Sequence, residues 1–312
     1  MHLVARSLIL ARTHLPEPVR RNIIFIGHPE KWNSGSSYLR SRQLGLLAAA
    51  SSEFNGLQIG FASDLSGRDC VQILNKYSME HFHPEELIDS KTRNNRLIAD
   101  PLDGVFENDF LDLFDAVIAA SLLQRAHYFS TLSNTVSYVG HHVDQRIGFS
   151  YPTPGRNHGF SIAYFGEITN ARFPDALAKR VKFHSVDTKT SASTEWMSGL
   201  QDHPSHYAVR APVTESFFKP FTKGFIAAHC MAPVLVDKDD GEARHFLPEA
   251  YPYFTGKETP DDILASIDRM ARDFDANSPE WIFALESMRR VREHCDPKLI
   301  VRQLHAAIFP LR

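Results

Sequence analysis

Short apolar runs rich in β-branched residues alternate along this chain with longer stretches of helical character. The alternation is typical of an α/β protein with parallel sheets, because two parallel strands need a long crossover between them. In the first half the sequence predicts helices at 36–50, 70–77, 109–114 and 122–132. It predicts strands at 22–26, 57–62, 96–99, 116–119 and 136–139.

The alternation stops at residues 148–159, where two prolines and three glycines indicate a hinge. Beyond it the sequence predicts strands at 161–165, 181–186, 206–209 and 233–236, and helices at 174–180, 219–230, 260–274, 279–295 and 297–308. We therefore predict two Rossmann-like domains, at 1–147 and 160–312. The last helix is expected to pack back on the first domain.

Composition excludes several classes of function. Lys and Arg total 34 against 37 Asp and Glu, and this net charge of -3 lacks the basic excess of a general nucleic-acid-binding surface. Cys70, Cys230 and Cys295 have neither disulfide nor zinc spacing, which favours a reducing, cytoplasmic compartment. The apolar run at 2–11 is interrupted by Arg6 and is interpreted as mature protein. No membrane span is expected; peripheral membrane contact and oligomeric state stay open.

The strongest local signal lies at residues 218–236, where a predicted helix leads into a buried strand. Pro220 suits a first helical turn, and Lys219, Thr222 and Lys223 share one face at spacings of three and four residues. Each cation in a first turn opposes the helix dipole by about 0.3–1 kcal/mol. Two lysines there indicate an anion at the helix N-terminus. Two solvated surface lysines are the alternative.

The run Lys-Pro-Phe-Thr-Lys-Gly-Phe-Ile-Ala-Ala-His-Cys-Met-Ala-Pro-Val, with Glu-Ala-Tyr-Pro-Tyr-Phe at 249–254, resembles the donor-binding region of GT-B glycosyltransferases. The resemblance is confined mainly to residues 160–255. In that fold a nucleotide-sugar binds in the C-terminal domain, and a helix directs its N-terminus at the donor diphosphate. The resemblance implies parallel sheets that face each other across a cleft, with Lys219, Thr222 and Lys223 at the donor diphosphate.

Three further residues of the second half are candidates for the donor site. Gly166 ends the first predicted strand and would let the backbone approach the phosphates. Arg210 could bind a diphosphate with two nitrogens or orient Glu215, and an internal Arg–Glu ion pair is the alternative. Many retaining members of the family carry two glutamates eight positions apart. Here Lys223 stands eight positions after Glu215, so the family's contacts to the sugar and its retaining stereochemistry cannot be carried over.

Polar side chains also follow the predicted strands of the first half. His28, Gly35 and Ser36 lie in and after the loop beyond the first strand, where Gly35 and Ser36 could border an acceptor and His28 could act as a general base. Asp100 and Asp103 lie at the end of another strand, and either could deprotonate an acceptor hydroxyl. Turn formation and helix capping are the alternatives for both carboxylates.

His141 and His142 follow the last predicted strand of the first half. Either could contact donor phosphate or act as a base, because imidazole titrates near neutral pH. Adjacent side chains on an extended strand point apart, so we predict no mononuclear metal site there.

These features predict a metal-independent glycosyltransferase that moves a sugar from a nucleotide-diphospho-sugar to a hydroxyl. The acceptor would be a glycan, a lipid-linked molecule or a small molecule, in bacterial glycan or glycoconjugate synthesis. No cofactor is expected besides the donor co-substrate. A non-hydrolysing nucleotide-sugar epimerase and a non-catalytic nucleotide- or sugar-phosphate-binding protein of the same fold are the alternatives.

Overall fold

The structure is a computed structural model that describes residues 22–148, 159–187, 194–211, 218–256 and 259–310. The N-terminal run at 2–11, most of the predicted hinge and Glu215 lie outside these ranges. Two parallel sheets, of six and five strands, organise the described chain. The predicted α/β class with two parallel sheets is confirmed.

The first sheet has the strand order β2-β1-β3-β4-β5-β6, and all its neighbours are parallel. Its strands are β1 (Asn22–Ile26), β2 (Gln58–Ala62), β3 (Cys70–Asn75), β4 (Arg96–Asp100), β5 (Ala116–Ala119) and β6 (Thr135–Tyr138). The prediction of a helix at 70–77 is wrong. Strand β3 lies in the middle of the sheet and is buried at every residue, so it lacks the alternation that marks a half-buried strand.

The helices of the first half lie between these strands. They are α1 (Gly35–Ser37), α2 (Leu44–Ala49), α3 (Lys76–His81), α4 (Pro84–Thr92), α5 (Asn108–Leu111) and α6 (Leu122–Thr131). A π-helical turn at Tyr38–Gln43 joins α1 to α2, where one regular helix is predicted. This turn buries Arg40, Ser41 and Gln43. Such turns are frequent at functional sites.

The second sheet has the order β11-β10-β9-β7-β8 and is also parallel. Its strands are β7 (Ile162–Gly166), β8 (Val181–Ser185), β9 (Ser205–Tyr207), β10 (Val234–Asp237) and β11 (Phe254–Thr255). The helices are α7 (Glu195–Ser198), α8 (Thr222–His229), α9 (Ala243–Phe246), α10 (Pro260–Ala276), α11 (Pro279–His294) and α12 (Pro297–Ile308). The helix predicted at 174–180 is only a 3-10 turn, Asp175–Leu177, because β8 begins too soon afterwards for a second turn.

The last three helices start with one shared signal, a capping side chain followed by proline. Thr259, Ser278 and Asp296 are the N-cap residues, and each side chain accepts a backbone N–H from the first turn. A short polar N-cap and a proline at the first helical position both favour a helix start. The three predicted starts are therefore correct. Within the described residues, no helix is both long and apolar enough to cross a membrane.

Helix α12 packs on the first sheet although it follows the second in sequence. Ile300 and Leu304 are fully buried in the same apolar cluster as Phe25 of β1. The side-chain oxygen of Gln303 accepts the backbone N–H of Gly140 at 2.9 Å, just beyond β6. The end of the chain therefore braces the edge of the sheet at which β6 lies.

Candidate functional site

A group of cations surrounds the start of α8, at the carboxyl end of the second sheet. Lys223 donates from Nζ to the backbone oxygen of Phe165 at 3.1 Å and lies 4.4 Å from the centre of the Tyr164 ring. Both partners belong to β7, which ends at Gly166 with φ of +151°. A Cβ on residue 166 would lie 2.8 Å from Lys223 Nζ. Glycine at position 166 therefore leaves room for the ammonium at its present position beside the strand end.

Helix α8 begins at Thr222, three residues later than predicted. The backbone oxygens of Lys219 and Pro220 accept hydrogen bonds from Arg210, at 3.5 and 2.6 Å, so this guanidinium takes acceptors that a longer helix would use internally. Phe221 is the N-cap residue and has no side-chain acceptor for the first N–H groups. A helix N-terminus without such a cap is suited to binding an anion.

Three positively charged side chains converge on this N-terminus. Arg210 forms an ion pair from Nε to Asp240 at 3.2 Å, and Lys219 Nζ donates to Asn170 Oδ1 at 3.3 Å. Burial, followed by the charges of Arg210 and Lys219, lowers the pKa of Lys223 to about 7. An ammonium crowded by two cations would be stabilised by a nearby negative charge, which a phosphate group would supply. We call Arg210, Lys219, Thr222 and Lys223 the anion cluster.

The anion cluster borders the first half of the chain. Phe218, directly before Lys219, packs against His127 and Tyr128 of α6, with ring centres 4.9 and 6.2 Å apart. The segment that leads into α8 therefore lies between the two halves. This is where the predicted donor site of a two-domain enzyme needs to be, so that a second substrate can reach it from the first half.

Asp100 has a structural role. Its Oδ2 accepts a hydrogen bond from Arg40 Nε at 2.8 Å, and both side chains are 0% exposed. The same guanidinium also donates to the backbone oxygens of Val139 and Gly140, each at 3.1 Å. Burial raises the pKa of Asp100, and the Arg40 charge opposes that shift. The structure does not support Asp100 as a general base, because its carboxylate cannot reach an acceptor hydroxyl without opening this buried ion pair.

Asp103 and His28 are placed differently. Asp103 forms an ion pair with Lys76 at 3.0 Å and stays 25% exposed, so it can still meet a ligand. His28 packs against His81, and its Nδ1 accepts the backbone N–H of Glu30 at 3.0 Å. Burial, followed by the charge of His81, lowers the pKa of His28. A neutral His28 in this arrangement carries its proton on Nε2, which leaves no free lone pair for a hydroxyl.

His141 and His142 are buried beside Arg40 beyond the end of β6. Burial, followed by the Arg40 charge, lowers the pKa of His141 to about 3, and burial holds the pKa of His142 well below its normal value. Both imidazoles are therefore neutral at pH 7. Gly35 and Ser36 form the start of α1. In the part of the chain that the structure describes, no group of three or more His, Cys, Asp or Glu side chains is placed to hold a metal ion.

Solved structures of glycosyltransferases resemble the chain along nearly its whole length. HepE from Anabaena in complex with UDP has a TM-score of 0.64 at 12% identity, over 93% of this chain and 100% of its own. Sucrose-phosphate synthase from Thermosynechococcus elongatus has a TM-score of 0.58 at 12% identity, over 91% and 97%. The chain has the GT-B fold.

A third structure agrees with this assignment of the fold. AviGT4, a glycosyltransferase involved in avilamycin A biosynthesis, has a TM-score of 0.52 at 12% identity, over 92% of this chain and 98% of its own. No protein-family model matches the sequence, and no curated protein matches it significantly. The suspected resemblance to GT-B proteins is confirmed at the level of the fold.

Sequence reasoning missed several residues that shape the two sheet edges of this GT-B fold. Arg40 ties the end of β4 to the end of β6, and Asp240 holds Arg210. Tyr164 places its ring beneath Lys223. Asp240 stands thirty positions from Arg210 and Arg40 sixty from Asp100, and no local spacing connects such distant partners.

Gly166→Ala is expected to lower the free energy of unfolding by about 1–3 kcal/mol, the cost of a side chain in a strained backbone region. The φ of +151° disfavours alanine, and the new Cβ would displace Lys223 Nζ. Gly60→Ala in β2 is the matched control, since a Cβ there meets no atom within 4 Å. Urea unfolding of both variants measures the difference, and equal losses would contradict the role given to Gly166.

Proposed function

We propose that this chain is a glycosyltransferase that takes its sugar from a nucleoside diphosphate sugar. The observation that carries the proposal is the anion cluster, in which three cations surround a helix N-terminus that lacks a side-chain cap. HepE, which shares the fold, is seen in complex with UDP and with UDP-glucose. These complexes support a uridine nucleotide as the first donor to test.

The anion cluster suits the charge that develops when the donor breaks. Cleavage of the bond between sugar and diphosphate leaves a negative charge on the departing nucleotide. In this proposal Lys219, Lys223, the Thr222 hydroxyl and the first N–H groups of α8 stabilise that charge. Because side-chain cations supply the positive charge at the leaving group, the proposal includes no metal ion and no cofactor besides the donor.

The acceptor hydroxyl would approach from the first half, in a glycan, a lipid-linked molecule or a small molecule. Asp103 is the remaining candidate for the general base, since it keeps an exposed face beside Lys76. Gly35, Ser36, His141 and His142 are the other residues that we propose for the acceptor side. The proposed setting is the synthesis of a glycan or glycoconjugate in the cytoplasm.

Binding and turnover are tested separately. Calorimetric titration with UDP, GDP, CDP and dTDP identifies the nucleotide, and each matching sugar donor is then incubated with and without acceptor extracts. Transfer that requires an acceptor supports the proposal. Release of an epimerised sugar without acceptor would assign an epimerase, and nucleotide binding without turnover would assign a binding protein. Failure of all four diphosphates to bind would overturn the proposed donor site.

The binding of UDP is expected to take up protons at pH 8. The free Lys223 pKa is about 7, and a bound diphosphate raises it because the opposite charge favours the ammonium form. UDP therefore binds most tightly between about pH 6 and 7, and its affinity falls by up to about tenfold per pH unit above pH 7. Nucleotide phosphates, with pKa near 6, are already ionised at pH 8.

Calorimetry at pH 8 in Tris and in HEPES measures this uptake, because the two buffers release a proton with different enthalpies. An apparent binding enthalpy that is the same in both buffers would show that Lys223 does not change its protonation. Lys223→Met is the control and is expected to remove the buffer dependence.

A further inference from the structure

The N-terminal turn of α6 belongs to the first half, yet a side chain of the second half caps it. Glu242 accepts the backbone N–H of Leu122 at 2.9 Å and that of Leu123 at 3.1 Å. The first N–H groups of a helix have no acceptor inside the helix, so these two bonds meet a need that α6 cannot meet itself. Ser121 of the first half takes only the N–H of Gln124. Glu242 is 2% exposed, so water does not compete for its carboxylate.

Glu242 lies on the same short segment as one residue that contacts the anion cluster and one that contacts the N-cap residue of α8. Asp240, two residues earlier, pairs with Arg210 at 3.2 Å. Phe246, four residues later in α9, stacks on Phe221, the N-cap residue of α8, with ring centres 6.0 Å apart. The segment between β10 and the end of α9 therefore contacts the anion cluster on one side and α6 on the other.

The first turn of α6 in turn supports a candidate catalytic group of the first half. The side chain of Gln124 donates to the backbone oxygen of Leu102 at 2.5 Å. Leu102 has φ of +54°, a conformation that a leucine adopts only where its surroundings enforce it. Asp103 is the next residue. A displacement of the α6 N-terminus would therefore move the turn that presents Asp103.

We propose that Glu242 is a positioning residue that couples occupancy of the anion cluster to the first turn of α6 and so to the turn at Leu102. The inference rests on the proposed function, because its effector is the nucleoside diphosphate. Glu242 is buried, and the proposal gives it no contact with either substrate. It acts through the backbone of Leu122 and Leu123, while Asp240 and Phe246 hold its segment against the anion cluster. Binding of a diphosphate tightens that segment, and the cap on α6 tightens with it.

Hydrogen exchange of the Leu122 and Leu123 amides tests the coupling, with and without UDP. In the unmodified protein UDP is expected to slow their exchange by about fivefold or more, the lower range of a coupling between sites. Glu242→Ala is expected to speed exchange without UDP by about 3- to 30-fold, as for the loss of a helix cap. In this variant UDP still binds but no longer slows these two amides. Coupling is reciprocal, so UDP affinity falls by a similar factor of about five.

Two further variants make the result specific. Glu242→Gln keeps the size of the side chain and one acceptor oxygen, and is expected to fall between the unmodified protein and Glu242→Ala. Glu293→Ala changes an exposed glutamate of α11, one residue before the His294 that packs on Phe246, and should behave like the unmodified protein. UDP binding that leaves the α6 amides unchanged, or slows them equally in Glu242→Ala, overturns the inference alone. If UDP does not bind to the unmodified protein, the proposed function fails and the inference fails with it.

Discussion

Asp100→Leu is expected to lower the free energy of unfolding by about 3–5 kcal/mol, because it leaves a buried charge without its partner. Both members of the pair with Arg40 are fully buried, so water cannot replace the lost carboxylate. Only the backbone oxygens of Val139 and Gly140 would remain as acceptors for the guanidinium. Urea unfolding followed by circular dichroism measures the loss.

Asp103→Leu is the matched control for this experiment. Its partner Lys76 is 22% exposed and Asp103 is 25% exposed, so loss of this pair should cost less than about 1 kcal/mol. The double variant Arg40→Met with Asp100→Leu should recover most of the stability, since apolar side chains often replace a buried ion pair at little cost. Similar losses for Asp100→Leu and Asp103→Leu would contradict the structural role of Asp100.

Local patterns predicted most of the fold. Strands β1 and β5 and helix α12 lie at their predicted bounds, because a short apolar run or a capped, proline-led helix is complete within its own residues. Strand β3 shows where this approach fails. Its residues are buried on both faces, and Gln72 in its middle is satisfied by Ser90 at 2.7 Å from α4. Only the position of the strand within the sheet explains a polar side chain in this buried run.

The two sides of the candidate site differ in how much the sequence could show. The anion cluster was largely predictable because Lys219, Thr222 and Lys223 lie within five consecutive residues at the start of one helix. In the first half, the ion pair between Arg40 and Asp100 decides which carboxylate stays available to an acceptor. The π-helical turn at Tyr38–Gln43 directs Arg40 inward, and helical periodicity does not predict such a turn. The cap that Glu242 places on α6 joins residues about 120 positions apart and leaves no local pattern.

Lys223→Ala is expected to weaken UDP binding by about 1.5–3 kcal/mol, the range of a charge-assisted hydrogen bond, or about 10- to 150-fold in Kd. The ammonium is placed between the end of β7 and the start of α8, where burial, followed by the charges of Arg210 and Lys219, lowers its pKa. Removal of the Lys223 side chain also removes its charge repulsion with Arg210 and Lys219, so part of the loss in binding free energy is offset. Calorimetry at pH 6.5, where Lys223 is mostly protonated, gives the full effect.

Two comparisons separate a direct contact with the nucleotide from a general effect of charge. Lys179→Ala removes one positive charge from an exposed position before β8, and it should leave the affinity for UDP within about twofold because exposed distant charges are screened by salt. Lys223→Arg keeps the charge, but its larger planar group has to be accommodated beside Gly166, where Lys223 Nζ lies 2.8 Å from the position of a Cβ on residue 166. Its affinity should therefore lie between those of Lys223→Ala and the unmodified protein. If Lys223→Ala binds every nucleoside diphosphate as tightly as the unmodified protein does, Lys223 is not part of the donor site. The anion cluster then loses its proposed role in holding the leaving group.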